Sequence, residues 1–424
     1  MNTMVSGSGA GPAHLGLPDR VRTALLGLPG PRCAYVYDRT VLRERAMAVR
    51  RALPERSTLL YAVKANGHPD VLDALAGVVD GFEVASGGEL ALARIARAGR
   101  ATLGPAAGTP ARATAVGEAH EIHVGGPAKT DAELAAAVEA EATVNVESTL
   151  ELRRLAVAAE AAGVRVNTTL RVNRAHPALP GQHAMTGVPT PFGMDEDELS
   201  EAVELAWHHP ALRVVGFSLH AVSNNLDAAA HARFVRDAAA WALAAAEQHG
   251  VPLRIINVGG GFGVDYTSAG GALDLARFAR EVAGLTLPDP ARLVFELGRF
   301  LAADAGWYAA EVLDLKRTHG RFFAVLRGGT HHFRLPAAWG YSHPFTVLPV
   351  DEWPHPYERP EVRDVEVDAV GELCTPRDVL SRAQPVGRLR VGDLLVFGRT
   401  GAYGWEVSHH EFLRHDPPTF VITG

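Results

Sequence analysis

The chain has 424 residues, 47% of them apolar and 21% charged, the balance of a globular protein large enough for two or three domains. A net charge of −7 with both signs interspersed leaves no basic stripe, which argues against nucleic acid as a partner. The longest apolar stretch, 238–246, is about half the length that spans a bilayer, and two widely separated cysteines, Cys33 and Cys374, make no disulfide framework, so reduced thiols in a cytoplasmic setting without a membrane role are expected.

Residues 1–30, rich in Gly, Ser and Pro up to Pro18 and lacking a charged-then-apolar signal pattern, read as a disordered leader. The run Ala34–Tyr37, within 31–40, is a strand expected to join a C-terminal sheet. Between 41 and 300, short β-type runs alternate with alanine-rich helical stretches such as Asp131–Ala140, Leu150–Ala162 and Ala228–Gln248. The strands are expected at Leu59–Lys64, Gly81–Ala85, Glu121–Gly125, Thr143–Glu147, Val166–Val172, Val214–Val222, Arg254–Val258 and Leu293–Glu296. Eight βα units in one such span match a closed (β/α)8 barrel, with a doubly wound open sheet as the structural rival. The segment Ala101–Glu118 reads as a long loop without an assigned role. From 301 to 424 short strands (Val312–Leu315, Phe322–Leu326, Val362–Val370, Leu389–Val396, Thr419–Ile422) punctuated by Gly and Pro suit a compact antiparallel β domain.

Chemistry-bearing residues gather at the predicted strand ends. Lys64 closes the apolar run Leu59–Val63; a buried ammonium is costly unless its pKa falls or it becomes a neutral covalent adduct, and a lysine that reacts with carbonyls needs the neutral amine. The alternative is a lysine reaching from a strand end into solvent. His220 and Ser223 offer an imidazole that could stack on an aromatic ligand and a hydroxyl donor. Gly259, Gly260 and Gly261 follow a strand and suit either a small phosphate group or a tight turn without a ligand; Val264 breaks the dinucleotide fingerprint. Glu296 and Arg299, three apart at a strand-to-loop transition, could share one pocket or form a surface ion pair. Cys374 is a candidate thiol acid or a small buried hydrophobe, and Tyr403 a phenol for an anion or a core residue. No H-E-x-x-H or C-x-x-C motif and no G-x-S-x-G elbow occurs, so neither a metal nor a serine nucleophile is expected.

Taken together, Tyr61-Ala62-Val63-Lys64-Ala65-Asn66, Phe82–Leu90, Gly126–Thr130, Val258–Gly263, Glu296–Arg299, Gly371–Asp378 and Gly401–Tyr403 resemble the ornithine/diaminopimelate/arginine decarboxylase family, from about Pro31 to Val421. The resemblance implies an alanine-racemase-like barrel with a C-terminal β domain, and pyridoxal 5′-phosphate held covalently through Lys64. Glu296 would face the pyridine nitrogen and keep it protonated, and His220 would stack on the ring. Arg171 would lie near the cofactor. Gly259, Gly260, Gly261, Ser223, Arg299 and Tyr403 would surround the phosphate. Cys374 would return a proton after carbon dioxide leaves, delivered from the neighbouring subunit of a homodimer.

The departures from the family pattern concern the substrate. Thr375 stands where an acid commonly binds a distal ammonium, and the run Leu373-Cys374-Thr375-Pro376-Arg377-Asp378 resembles decarboxylases of siderophore and aminoglycoside assembly, which take citrate-linked or carrier-protein-linked amino acids. Met185–Pro189, Pro191–Asp195 and His331–Pro336 are similar to the same branch. Arg334, Thr375, Arg377 and Asp378 are therefore the expected substrate-binding residues, the two arginines meeting an anionic substituent. The expected activity is α-decarboxylation of an L-amino acid or its conjugate, with racemisation on the same architecture or a non-catalytic cofactor-binding homologue as alternatives.

Overall fold

The computed structural model describes residues 17–103, 120–175, 179–267 and 273–424. Strand β1 (Cys33–Asp38) precedes eight parallel strands: β2 (Ser57–Ala62), β3 (Gly81–Val84), β4 (Glu121–Val124), β5 (Thr143–Val146), β6 (Val166–Asn173), β7 (Leu212–Ser218), β8 (Ile255–Gly259) and β9 (Arg292–Leu297). Each pairs with the next in sequence, and β9 closes on β2 with Leu293 opposite Ser57 and Leu297 opposite Tyr61. Closure decides for the barrel over the open sheet. The inward positions carry an apolar layer of Leu60, Val215, Ile255 and Val294. Two residues further along β8 and β9 the inward positions become Asn257 and Glu296.

The outer helices are short on large side chains and well capped. Thr130 and Glu133 form a capping box before Asp131–Glu139, Ser148 caps Thr149–Ala162, and Asp227 caps Ala228–His249. The last of these buries a stripe of alanines against the barrel, where small residues let helix and sheet approach closely.

Beyond the barrel lie β10 (Gly306–Thr318), β11 (Arg321–Leu326), β12 (Phe345–Leu348), β13 (Glu361–Val370), β14 (Val379–Arg390), β15 (Leu394–Phe397) and β16 (Thr419–Thr423). The sheet order is β12-β15-β10-β11-β13-β14, with β1 inserted between β10 and β16. This sheet is mostly antiparallel, but β1 with β16 and β11 with β13 are parallel pairs. The run expected as one strand over Leu389–Val396 is broken at Gly392 (φ +85°), where buried Asp393 accepts the N–H groups of Arg390 and Val350 at 2.9 and 3.0 Å.

The expected disordered leader needs correction over its described part. Asp19–Leu26 is a helix whose Val21 and Leu25 are fully buried against Ala34, Val36, Ala309, Leu348 and Val396, an i, i+4 apolar pair that docks on the β domain. Residues 1–16 of that leader, and 104–118 of the expected long loop, lie outside the described residues. None of the helices among the described residues is long and apolar enough to cross a membrane.

Barrel and β domain meet at the barrel mouth. Asn66 Nδ2 donates to the Gly401 carbonyl at 3.0 Å, and the Tyr403 N–H donates to the Ala65 carbonyl at 2.8 Å. Leu25→Ala is expected to destabilise the fold by about 2–5 kcal/mol, read as a lowered denaturation midpoint; an unchanged midpoint would show that the N-terminal helix is not docked.

Candidate active site

Lys64 lies on a single 3-10 turn, Val63–Ala65, just past β2, not on the strand itself as expected. Its side chain is 47% accessible and opens on a cavity of about 420 Å³ at the C-terminal end of the barrel, the face where barrel enzymes place their chemistry. Lys64 Nζ donates to Glu83 Oε2 at 2.6 Å, and Glu83 is buried. Burial alone pulls the ammonium's pKa down, but the charge and hydrogen bond of Glu83, with the charge of Glu296 behind it, outweigh it, so the net shift is upward. The sequence argument required a lowered pKa or an adduct; the fold instead pairs the ammonium with a carboxylate.

Glu296, the end of β9, is held by Asn257 Nδ2 at 2.6 Å and Asn145 Nδ2 at 3.3 Å, both on its Oε1. Burial, and then the nearby Glu83 charge, push its pKa up. His220 lies beyond β7, so the strand is shorter than expected, and its Nδ1 accepts the Gly260 N–H at 3.1 Å. Burial, with the charges of Arg171 and Lys64, lowers the His220 pKa well below the ordinary value; the ring is a neutral imidazole whose hydrogen is on Nε2.

One end of the cavity is built for an anion. Arg299 is only 8% exposed and has no carboxylate partner among the described residues. Its guanidinium lies 4.4 Å from the Trp339 ring centre and 4.6 Å from that of Tyr403, and it donates to Tyr266 Oη at 2.9 Å. Ser223 Oγ is buried without a hydrogen-bond partner. A side chain on Gly260 would strike the Glu296 carbonyl at 2.3 Å and one on Gly261 the Val222 carbonyl at 2.6 Å. A lone cation, an orphaned hydroxyl and a glycine cradle fit a phosphate group. With an amine and a buried acid at the opposite walls, the cavity fits pyridoxal 5′-phosphate.

Lys64, Arg171, His220, Ser223, Gly260, Gly261, Glu296, Arg299 and Tyr403 all line this cavity. Gly259 does not: its N–H goes to Asn257 Oδ1 at 2.8 Å, and its φ of +67° leaves room for the His220 ring, which a Cβ there would meet at 2.1 Å. Its expected place in the phosphate shell is corrected to a support beneath His220. Arg171 is paired with Glu147 Oε1 at 2.7 Å and lies under Phe192.

Cys374, Thr375, Arg377, Asp378 and Arg334 are not at the cavity of their own chain. Cys374 is exposed on a loop of the β domain. Arg334, Thr375 and Arg377 line a separate open groove with Arg382 and His409. Asp378, expected to touch substrate, is buried, and its carboxylate accepts Thr330 N–H at 2.6 Å and Leu373 N–H at 2.8 Å. Both oxygens are spent on backbone groups, so Asp378 shapes the Cys374 loop. On the loop's other side Glu372 is clamped by Arg327 Nη1 at 2.8 and 2.9 Å.

Sequence reasoning left Glu83, Asn145, Asn257 and His123 without a role. Each is a polar residue inside a four- or five-residue apolar strand, the same signal that singled out Lys64. Lys129 also went unassigned; it is buried and donates to Glu151 Oε1 at 2.5 Å and to the Gly126 and Asn145 carbonyls at 2.7 and 2.8 Å, fixing the loop that lines the cavity beside Glu83.

Comparison with known proteins agrees with this site. Residues 39–303 match the family model described as pyridoxal-dependent decarboxylase, pyridoxal binding domain. The chain is 38% identical to a Staphylococcus aureus 2-[(L-alanin-3-ylcarbamoyl)methyl]-2-hydroxybutanedioate decarboxylase over 92% of this chain and 94% of that protein. It is 29% identical to the Niallia circulans L-glutamyl-[BtrI acyl-carrier protein] decarboxylase over 92% of this chain and 88% of the other. The crystal structure of Helicobacter pylori diaminopimelate decarboxylase complexed with L-lysine shares the fold, with a TM-score of 0.76 at 24% identity, covering 92% of this chain and 91% of that one. An amine–carboxylate pair at a barrel mouth, a phosphate cradle and these relatives converge: the chain belongs to the pyridoxal-dependent decarboxylases and is a carboxy-lyase of that family.

Proposed function

We propose that this enzyme removes the α-carboxylate of an L-amino acid carrying an anionic, citrate-like substituent, in the assembly of a siderophore or related specialised metabolite. The observation that carries this reading is the groove beside the Cys374 loop, where Arg334, Arg377 and Arg382 meet with no acidic residue among the lining. Those three guanidinium groups have no ion-pair partner among the described residues. Such a groove attracts carboxylates and repels the distal ammonium of ornithine, lysine or diaminopimelate. Thr375, next to Cys374, supplies no compensating charge. The substrate for which the S. aureus relative is named, an alanine head amide-linked to a hydroxybutanedioate, has the same chemistry.

Lys64 would hold the cofactor covalently, Arg299, Ser223, Gly260, Gly261 and Tyr403 its phosphate, and Glu296 its ring nitrogen. When bound, pyridoxal phosphate supplies an electron sink for the pair released as carbon dioxide leaves. Glu83 fixes the direction of the amine through the 2.6 Å ion pair. His220 presents a neutral, flat ring to the cavity, held by the Gly260 N–H. Cys374 Sγ returns a proton to the substrate α-carbon. Since that thiol is exposed and outside its own chain's cavity, a second copy must supply it, so the working unit is a homodimer with shared sites. Two thiols that are unpaired in this structure, Cys33 and Cys374, suit the cytoplasm, where they stay reduced. Racemisation and a non-catalytic role are not favoured, since the relatives are decarboxylases.

Carbon dioxide release should be fast with a citryl-linked 2,3-diaminopropionate and slow with free diaminopimelate; the reverse order would overturn the substrate assignment. Arg377→Ala should raise KM for the citryl substrate by roughly tenfold or more with a smaller change in kcat, the pattern of a lost binding contact. Lys64→Ala should abolish the visible absorbance of lysine-bound cofactor. Mixing the inactive Lys64→Ala and Cys374→Ala chains should restore about a quarter of wild-type activity, because half the randomly formed dimers are mixed and each has one intact site. No recovery on subunit exchange would place each thiol with its own chain.

A further inference from the structure

The glycine turn at the anion end has few side chains of its own to hold it, so its shape must come from what it is bonded to. Gly261 and Phe262 both line the cavity, and neither backbone N–H donates to any other described residue. The rest of the turn is stitched to the segment that follows Ser223. The Asn225 N–H donates to the Gly261 carbonyl, the Gly263 N–H to the Asn225 carbonyl, and the Val264 N–H to Asn224 Oδ1, each at 2.8 Å. These bonds take up the Gly261 carbonyl and the N–H groups of Gly263 and Val264. They leave the two donors at the cavity wall unspent for an anion.

Asn225 is buried, and its side chain locks that segment in turn. Its Oδ1 accepts the Asp227 N–H at 2.8 Å, and its Nδ2 donates to the Asp227 carbonyl and to His231 Nδ1, each at 3.4 Å. Asp227 caps the helix Ala228–His249, so the amide ties the glycine turn to the start of that helix. An amide nitrogen only donates, so His231 Nδ1 must accept and the ring's hydrogen is on Nε2. Burial, which lowers the His231 pKa to about 3, agrees with that neutral form. The ring also backs the turn directly. It meets Phe262 edge-on with ring centres 4.8 Å apart, and a Cβ on Gly261 (φ +97°) would come within 3.1 Å of His231 Cε1. Phenylalanine would serve the packing of this ring on Phe234 and Phe278, but it has no lone pair to offer Asn225.

We infer that Asn225 and His231 are positioning residues for the anion end of the cavity: Asn225 holds the glycine turn so that the Gly261 and Phe262 N–H groups remain free for a phosphate group, and His231 holds the Asn225 amide. Neither side chain lines the cavity, so both act through the turn. The inference rests on the reading of the Arg299 end as the phosphate site. It divides the work there between a charge, supplied by Arg299, and a shape, supplied by two backbone donors that are fixed from outside the cavity.

The test compares the cofactor with and without its phosphate. Dissociation constants of pyridoxal phosphate and of unphosphorylated pyridoxal are read from the lysine-bound absorbance for wild-type, Asn225→Ala, His231→Phe and His231→Gln proteins. Asn225→Ala should weaken pyridoxal phosphate binding about tenfold, the change brought by losing a hydrogen bond to a charged group, and change pyridoxal binding by less than about twofold. His231→Phe should shift the ratio of the two constants in the same direction by a smaller factor. His231→Gln, whose amide oxygen accepts from Asn225, should restore part of it. A residue that only stabilises the fold would lower the denaturation midpoint or weaken both ligands alike, leaving the ratio where it was. An unchanged ratio in the folded Asn225→Ala protein would overturn the inference; should that protein not fold, an unchanged ratio in His231→Phe does so. A wild-type protein that binds pyridoxal as tightly as pyridoxal phosphate would instead overturn the reading of the Arg299 end, and the inference falls with it.

Discussion

The ion pair between Lys64 and Glu83 is the constraint around which the barrel mouth is arranged. Glu83 is buried, and a buried carboxylate needs a counter-charge. Lys64, which opens on the cavity, supplies it at 2.6 Å, but Glu296 faces the same cavity and creates a second problem. Two acids in a closed space oppose each other's ionisation. The amides of Asn145 and Asn257, which donate to Glu296 Oε1, are what the sequence devotes to that second problem. This explains why polar residues recur at the last inward position of strands that are otherwise valine and isoleucine, and why an apolar layer of Leu60, Val215, Ile255 and Val294 lies just beneath.

The anion end of the cavity is settled by a different means. Arg299 has aromatic faces on several sides and no acid paired with it among the described residues, so its charge is desolvated but not neutralised there. That arrangement is unfavourable in isolation and favourable once an anion arrives, which is how binding energy is stored for one ligand class. Tyr403 reaches the site from the β domain in a left-handed conformation (φ +56°) that a non-glycine residue adopts at a cost of about 1 kcal/mol or more. Its N–H bond to Ala65, next to Lys64, fixes that conformation. The β domain therefore completes the Arg299 end of the cavity by a contact one residue from Lys64, and neither domain lines the whole cavity alone.

Much of this was legible in the amino-acid order. The eight βα units, the lysine at the end of the first barrel strand and the glycine turn all follow from period, burial cost and backbone freedom. What escaped was either short or non-local. A single Glu, Asn or His inside a four-residue strand looks like noise in a period count, yet Glu83 and His123 lie side by side only because β3 and β4 pair in that register. The helix Asp19–Leu26 follows a Gly/Pro-rich stretch that reads as coil, and its stability comes from docking on β1 and β15 more than from its own eight residues. Asp378 was misread for the opposite reason: an acid near a functional cysteine suggests substrate, but its two oxygens were needed by backbone groups of a tight loop.

The separation of Cys374 from the cavity has a physical logic of its own. A thiol that donates a proton to a carbanion must be close at that step, yet a thiol held permanently beside an aldehyde-bearing cofactor would compete with the lysine amine for it. In the proposed dimer, mounting the thiol on a loop of another copy would separate the two nucleophiles in the unassembled chain. The loop is nevertheless stiff, pinned on one side by Glu372 in the grip of Arg327 and on the other by Asp378 beneath Thr330 and Leu373. Rigid presentation is what a group needs when it must reach across an interface, because an ordered loop gives up little further entropy on docking. On the proposed function, the arginines flanking the same loop would meet the far end of the substrate as the thiol meets its α-carbon. Proton delivery and selection for an anionic tail would then reside on one element of the β domain, and cofactor attachment on the barrel.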